Sequence, residues 1–262
     1  MPARGRSAQQ VAQRRARLGE VRSERVVLDD GARTTVHVAA YDAERVEVRL
    51  ALLRRPAPLV EWCAAQGVSD AVVGGFFTRP GGTPLGELRT GGVTRRSVPF
   101  DAPWGLARAC VHLHAGRVAI AGRTLLPAAP RGDLLQAGPL LVAAGRRAFQ
   151  PGEDPEGFSA GAHQFDSDIT AGRHPRAALA LAPGRVLAIA CDGRARDEAG
   201  LTLGELADLL LVAGATSALN LDGGGSTSLV CGGELRNRPR AAVAEPLPRG
   251  RPVSTALVFA PR

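Results

Sequence analysis

Val36 and Val38 alternate with their neighbours, and Val46, Val48, Leu50 and Leu52 alternate with Arg45, Glu47, Arg49 and Ala51. A period of two puts successive side chains on opposite faces, so the pattern predicts half-buried strands early in the chain. A helical stretch follows over Leu59–Gln66, with Gly67 placed to end it. Residues 71–73 are apolar and read as a strand that leads into Gly74-Gly75-Phe76-Phe77, and residues 78–92 are loop-rich in Gly and Pro.

Short strand patterns recur at 109–113 and 117–120, where His112 and His114 share one face. Residues 150–173 form the longest polar, breaker-rich stretch and read as a lid or a flexible excursion. Residues 177–181 and 185–190 flank Ala182-Pro183-Gly184 as a hairpin whose second strand ends in Asp192-Gly193-Arg194. Thr202 and Glu205 then have capping-box spacing, Leu203, Leu206, Leu209, Leu210 and Ala213 recur at helical spacing, and Gly214 closes that helix. A strand at 217–221 runs into Asp222-Gly223-Gly224-Gly225-Ser226-Thr227, and strand signals return at 228–231 and 255–259.

Two of these stretches share a plan: helix, Gly67, strand, Gly74-Gly75, and later helix, Gly214, strand, Gly223-Gly224-Gly225. Strands outnumber helices and do not alternate strictly with them. The expected class is α+β, a mixed and mostly antiparallel sheet with a few helices.

With 262 residues, 45% of them hydrophobic, the chain can bury a sizeable core. Its 33 basic and 25 acidic residues give a net charge of +8, the balance of a nucleic-acid binder, but position changes that reading. Seven arginines against Glu20 and Glu24 give residues 1–25 a local charge of +5, which leaves +3 for all the rest. The expected organisation is an Arg-rich tail over 1–25, solvated or in contact with nucleic acid or anionic lipid, and a single domain over 26–262. Nucleic acid is not the expected partner, because ten aromatic residues in the whole chain are too few for stacking.

No apolar run reaches the roughly 18–20 residues of a membrane span, and no apolar secretory core follows the basic start, so a soluble, cytoplasmic protein is expected. Cys63, Cys110, Cys191 and Cys231 are scattered without a CxxC and read as free, mostly buried thiols. His112 and His114 are too few for a metal site, so neither a metal nor a cofactor is expected.

The chemistry gathers after Leu221. Three consecutive glycines let backbone approach a ligand closely and aim several N–H groups at one spot, which suits an anionic or polyhydroxyl group; the alternative is a tight turn between buried strands. The loop is not a P-loop, since the chain has no lysine at all, and it is not a dinucleotide fingerprint, since a strand follows it. Asn220 and Asp222 share a strand side, with Ser226, Thr227 and Ser228 just beyond. That much polarity at a strand end is costly unless something binds there.

The blocks Gly74-Gly75-Phe76-Phe77, Gly82-Thr83-Pro84-Leu85-Gly86, Gln136-Ala137-Gly138-Pro139, His174-Pro175-Arg176, Cys191-Asp192-Gly193-Arg194 and Leu219 to Thr227 resemble, in this order, the phosphodiester glycosidase family. Two positions depart from its pattern: Val73 stands where Asn is usual, and Ala177 where Thr is usual. The resemblance implies hydrolysis of a small-molecule or glycan sugar-1-phosphodiester to free sugar and phosphomonoester, or a carbohydrate- or phosphate-binding domain of the same fold without the chemistry.

Under that resemblance Asp222 is the first choice and Asp192 the second for the carboxylate that meets the oxocarbenium-like carbon, because each ends a strand beside a glycine. Arg176 and Arg194 are expected to take the phosphate. Asn220, Gly223, Gly224, Gly225, Ser226, Thr227, Gly75, Phe76 and Gln136 complete the expected substrate contacts. Each carries a plainer alternative: a turn at Asp192, a structural ion pair for Arg176, a turn cap for Gln136 and core packing for Phe76.

Overall fold

A computed structural model of the chain describes residues 18–150, 152–159 and 169–262. Most of the expected tail lies outside these residues, but its end does not. Glu20–Val27 is a strand, paired antiparallel along its length with Arg33–Asp42. The last residues of the expected tail thus lie in an edge strand, where a sheet tolerates charged side chains.

Seven strands form one sheet in the order Glu20–Val27, Arg33–Asp42, Arg185–Cys191, Ala177–Ala182, Ser217–Asn220, Leu140–Ala143 and Arg146–Arg147. A five-stranded sheet runs Glu234–Leu235, Leu229–Cys231, Asp70–Val73, Pro252–Pro261 and Val46–Pro58. Another five-stranded sheet runs Val93–Thr94, Leu88–Thr90, Asp133–Gln136, Ala109–His114 and Arg117–Gly122. These strands all pair antiparallel, and among the described residues the parallel component of the expected mixed sheet is a single bridge between Leu85 and Val98.

The expected hairpin, observed as Ala177–Ala182 and Arg185–Cys191, is apolar at nearly every position because both of its faces are covered. Ala177, Leu179, Val186, Ala188 and Ala190 face a core shared with the other sheets through residues such as Val72, Val111 and Leu257. Ala178, Ala180, Leu187 and Ile189 face the opposite way, onto Leu203, Leu206, Ala207 and Leu210 of the helix Leu203–Val212. That helix opens with the expected capping box: Glu205 N–H donates to Thr202 Oγ1 at 3.1 Å, and Thr202 N–H donates to Glu205 Oε2 at 2.8 Å.

Residues 151 and 160–168 of the expected lid or excursion lie outside the described residues, and of the rest Glu156, Gly157 and Phe158 are buried. Glu156 is buried and accepts the N–H groups of Ala109 at 2.8 Å and Leu140 at 2.5 Å. Arg108, fully buried, lies 4.1 Å from the ring centroids of both Phe100 and Phe158 and donates to the carbonyls of Glu156 and Gly157. Burial pushes the Glu156 carboxyl up to about 7, against the pull of the two N–H groups and of Arg108. All four cysteines are free and buried, and no helix among the described residues is long and apolar enough to cross a membrane.

Candidate active site

Ser217–Asn220 lies inside the seven-stranded sheet and Asp70–Val73 inside a five-stranded one, and the glycine segments that follow them meet. Asp222 N–H donates to the Gly74 carbonyl at 3.0 Å, Gly74 N–H to the Thr255 carbonyl at 2.9 Å, and Gly75 N–H to Thr255 Oγ1 at 3.0 Å. The contact is close enough that a Cβ on Gly74 would collide with Thr255. The helix–glycine–strand–glycine plan read twice in the sequence thus serves two different sheets that converge on one place.

A cleft of about 390 Å³ opens there. The Gly-rich loop and its strand supply Asn220, Asp222, Gly223, Gly224 and Ser226. Phe76, Phe77 and Arg79 follow the strand Asp70–Val73, and His174 and Arg176 precede Ala177–Ala182. Arg194 follows Arg185–Cys191, and Arg251 immediately precedes Pro252–Pro261. The site is therefore assembled from strand ends, which hold backbone rigidly while leaving side chains open.

Asp222 is part-exposed to the cleft. Its carboxylate accepts the Gly223 N–H at 2.9 Å and a hydrogen bond from Ser226. Burial pushes it up to about 6, and outweighs Ser226, Gly223 and the charges of Arg251 and Arg79, which all favour the ionised form. A carboxyl that titrates near neutrality inside a cleft is the type of group used for acid, base or nucleophilic work.

Arg194 has a left-handed backbone, φ 57°, which costs a residue with a side chain about 1 kcal/mol. The strained turn aims its guanidinium over Gly224, whose own φ is 60° and where a Cβ would come within 3.1 Å of it. Arg194 Nη1 donates to the Ala241 carbonyl at 2.6 Å. Burial, together with the positive charges of Arg251 and Arg79, lowers its pKa from the ordinary arginine value. Arg251 is held beside the loop by its N–H, which donates to the Gly225 carbonyl at 3.0 Å.

Arg176 also lines the cleft but is 3% exposed, and its guanidinium donates to the carbonyls of Leu201 at 3.0 Å, Ile169 at 2.8 Å and Gly172 at 3.3 Å. It holds the surrounding segments together while adding its charge to the site. Phe76 lines the cleft and also packs 5.8 Å from Phe158.

Five expected contacts lie elsewhere. Asp192 does not line the cleft: it is 1% exposed, its Oδ1 accepts the Arg238 N–H at 2.6 Å, and its Oδ2 lies 3.4 Å from His37 Nε2. The turn after Arg185–Cys191 carries it toward the strand Arg33–Asp42, and its carboxylate ties that turn to His37 and to the Arg238 backbone. Gln136 does not line the cleft: its side chain accepts the Glu87 N–H at 3.0 Å and donates to the Gly105 carbonyl at 2.7 Å, tying two other segments to its strand. Gly75 and Gly225 serve through backbone bonds behind the cleft wall, and Thr227 is fully buried. Val73 and Ala177 are core residues and do not line the cleft.

Arg79 and Arg251 were not legible in the sequence. They are two of 33 basic residues, with no local motif around them. The nearest signal was that Arg79 follows the Gly74-Gly75-Phe76-Phe77 block by two residues.

The antiparallel multi-sheet fold has counterparts of known structure. The catalytic domain of zebrafish N-acetylglucosamine-1-phosphodiester alpha-N-acetylglucosaminidase, described as auto-inhibited by its pro-peptide, is similar with a TM-score of 0.70 and 19% identity, over 95% of this chain and 86% of that one. A hypothetical protein from Synechocystis is similar with a TM-score of 0.62 and 22% identity, over 92% of this chain and 62% of that one, so this chain spans less than two thirds of its length. A putative exported protein from Burkholderia pseudomallei K96243 gives a TM-score of 0.58 and 19% identity, over 88% of this chain and 74% of that one. At such identities these likenesses show the fold. No curated protein matches the sequence.

The family model for phosphodiester glycosidases matches residues 66–260. The match covers most of the chain, which therefore belongs to the phosphodiester glycosidase family.

Proposed function

We propose that the protein hydrolyses a sugar-1-phosphodiester to the free sugar and a phosphomonoester. The observation that carries this reading is the pairing, in one cleft, of the near-neutral carboxyl of Asp222 with Arg79, Arg176, Arg194 and Arg251. The bond between C1 and the bridging oxygen breaks, the phosphate leaves with that oxygen and its electron pair, and water supplies the new oxygen at C1. Charge develops on both sides of the breaking bond, and the cleft carries groups of the opposite sign for each.

On the phosphate side, Arg194, Arg79 and Arg251 meet the growing negative charge, and fixed cations already in place need no rearrangement as the bond breaks. On the sugar side, Asp222 meets the carbon that becomes positive, as nucleophile or as the base for water. A phosphomonoester leaves well without a strong acid, and Asp222 lines the cleft where Asp192 does not, so Asp222 is the carboxylate assigned to the carbon.

The test is incubation of the purified protein with phenyl phosphodiesters of glucose, galactose, mannose and N-acetylglucosamine at C1, with release of phenyl phosphate followed by phosphorus NMR. Release from at least one diester is expected. Saturable binding of the diesters without release from any of them would favour the second reading, a binding domain of the same fold.

A further inference from the structure

We infer that Asn220 selects, through Oδ1, a hydrogen-bond donor on the sugar, a hydroxyl or an amide N–H; this rests on the reading of the cleft as a sugar-phosphodiester site. Its amide orientation follows from its neighbour. Nδ2 lies 2.9 Å from the Gly138 carbonyl, which can only accept, so the NH₂ end must face it. The backbone fixes the same pair, since Gly138 N–H donates to the Asn220 carbonyl at 3.0 Å and Asn220 N–H to the Pro139 carbonyl at 3.1 Å. The side chain therefore has no freedom to turn over.

Gly138 takes one of the two Nδ2 donors, and Oδ1 is the acceptor that the amide offers. That oxygen is buried and has no hydrogen-bond partner among the described residues, while Asn220 itself is 1% exposed and lines the cleft. Buried acceptors in folded proteins nearly always find a donor. A phosphodiester oxygen carries no proton and would meet Oδ1 lone pair to lone pair, whereas a sugar hydroxyl or acetamido N–H supplies the missing donor. Asn220 and Asp222 are two residues apart at the strand end, a spacing of roughly 7 Å, within the reach of one sugar ring. Thr227 Oγ1 and Ser228 Oγ are also buried without partners, but neither residue lines the cleft.

Two measurements test this. In the first, kcat/KM of the wild-type protein is compared between its best phenyl phosphodiester and the monodeoxy analogues of that sugar, lacking one donor at a time. One analogue should fall by roughly 10- to 100-fold, the loss expected when a buried polar group is left unpaired, and Asn220→Leu should treat that analogue and its parent alike within about two-fold. Equal rates for all analogues with the wild type, which needs no variant to fold, would overturn the inference.

The second measurement is calorimetric binding of the methyl glycosides of the same four sugars and of inorganic phosphate. Asn220→Leu and Asn220→Ser should lose about 10-fold or more for the sugar and keep phosphate affinity. That pattern without turnover removes the hydrolase reading and leaves the donor selection standing. Weakened phosphate with unchanged sugar, or no binding of either ligand to the wild type, overturns the donor selection itself.

Discussion

The backbone N–H of Asp222 donates to the carbonyl of Gly74 at 3.0 Å, and this bond joins the ends of two sheets at the floor of the cleft. Because Gly74 in turn packs on Thr255, the position of the candidate catalytic carboxylate depends on a glycine almost 150 residues away in sequence. Gly74→Ala would drive a Cβ into Thr255. The expected result is a loss of about 2 kcal/mol or more in unfolding free energy by urea titration, as for other overpacked sites. Stability equal to wild type would show that the sheets can separate here at little cost.

The pH dependence of stability has a definite sign. Burial raises Asp222 from 3.8 to about 6 and Glu156 from 4.5 to about 7, so the folded state keeps two protons that the unfolded chain has already released. The folded state then binds more protons between about pH 4 and 7, and stability falls as pH rises through that window. Asp30 and Glu205 are shifted below their ordinary values and stay ionised above pH 5, so they do not offset it. Unfolding free energy should drop by on the order of 2–4 kcal/mol from pH 5 to pH 8. A rise over that interval in a melting series would contradict the burial of these two carboxyls.

Arg194 separates backbone from charge. At φ 57° glycine is favoured over alanine, so Arg194→Gly should be more stable than Arg194→Ala by about 1 kcal/mol. Both should lose the same 10²-fold or more in kcat/KM, since each removes one of the fixed cations that face the phosphate. Unequal activities with equal stabilities would mean that the turn itself, and not the guanidinium, serves the substrate.

Asp192 is assigned to the turn and not to the chemistry. Asp192→Asn weakens the acceptor for the Arg238 N–H and the partner of His37, and should cost about 1–3 kcal/mol of stability. Its kcat should stay within a few-fold of wild type under folding conditions. A thousand-fold fall in kcat with unchanged stability would return Asp192 to the catalytic role that its strand-end position first suggested.

Local pattern carried the elements that local physics determines. The Thr202–Glu205 capping box and the hairpin around Pro183-Gly184 were readable because the forces that form them act within a few residues. Glu20–Val27 was hidden because it is an edge strand with an exposed, charged pattern that resembles a tail. In the site, Asp222, Asn220, Ser226 and Phe76 were legible beside their glycines. Asp192 and Gln136 sit in equally suggestive motifs, yet their side chains are used up by His37, Arg238, Glu87 and Gly105, partners set by sheet pairing. Arg79 and Arg251 reach the cleft only through that same long-range assembly.

The most direct test is the rate of phosphomonoester release from the preferred sugar-1-phosphodiester by wild type and Asp222→Asn, each followed from pH 4.5 to 8. The wild-type kcat/KM should rise through an apparent pKa of about 6 and level off, in step with ionisation of Asp222. The variant should keep its fold and fall by about 10³-fold or more in kcat, with no inflection near pH 6. A variant that turns over the diester as fast as the wild type, or that keeps the same pH profile, would show that Asp222 is not the carboxylate on which hydrolysis depends.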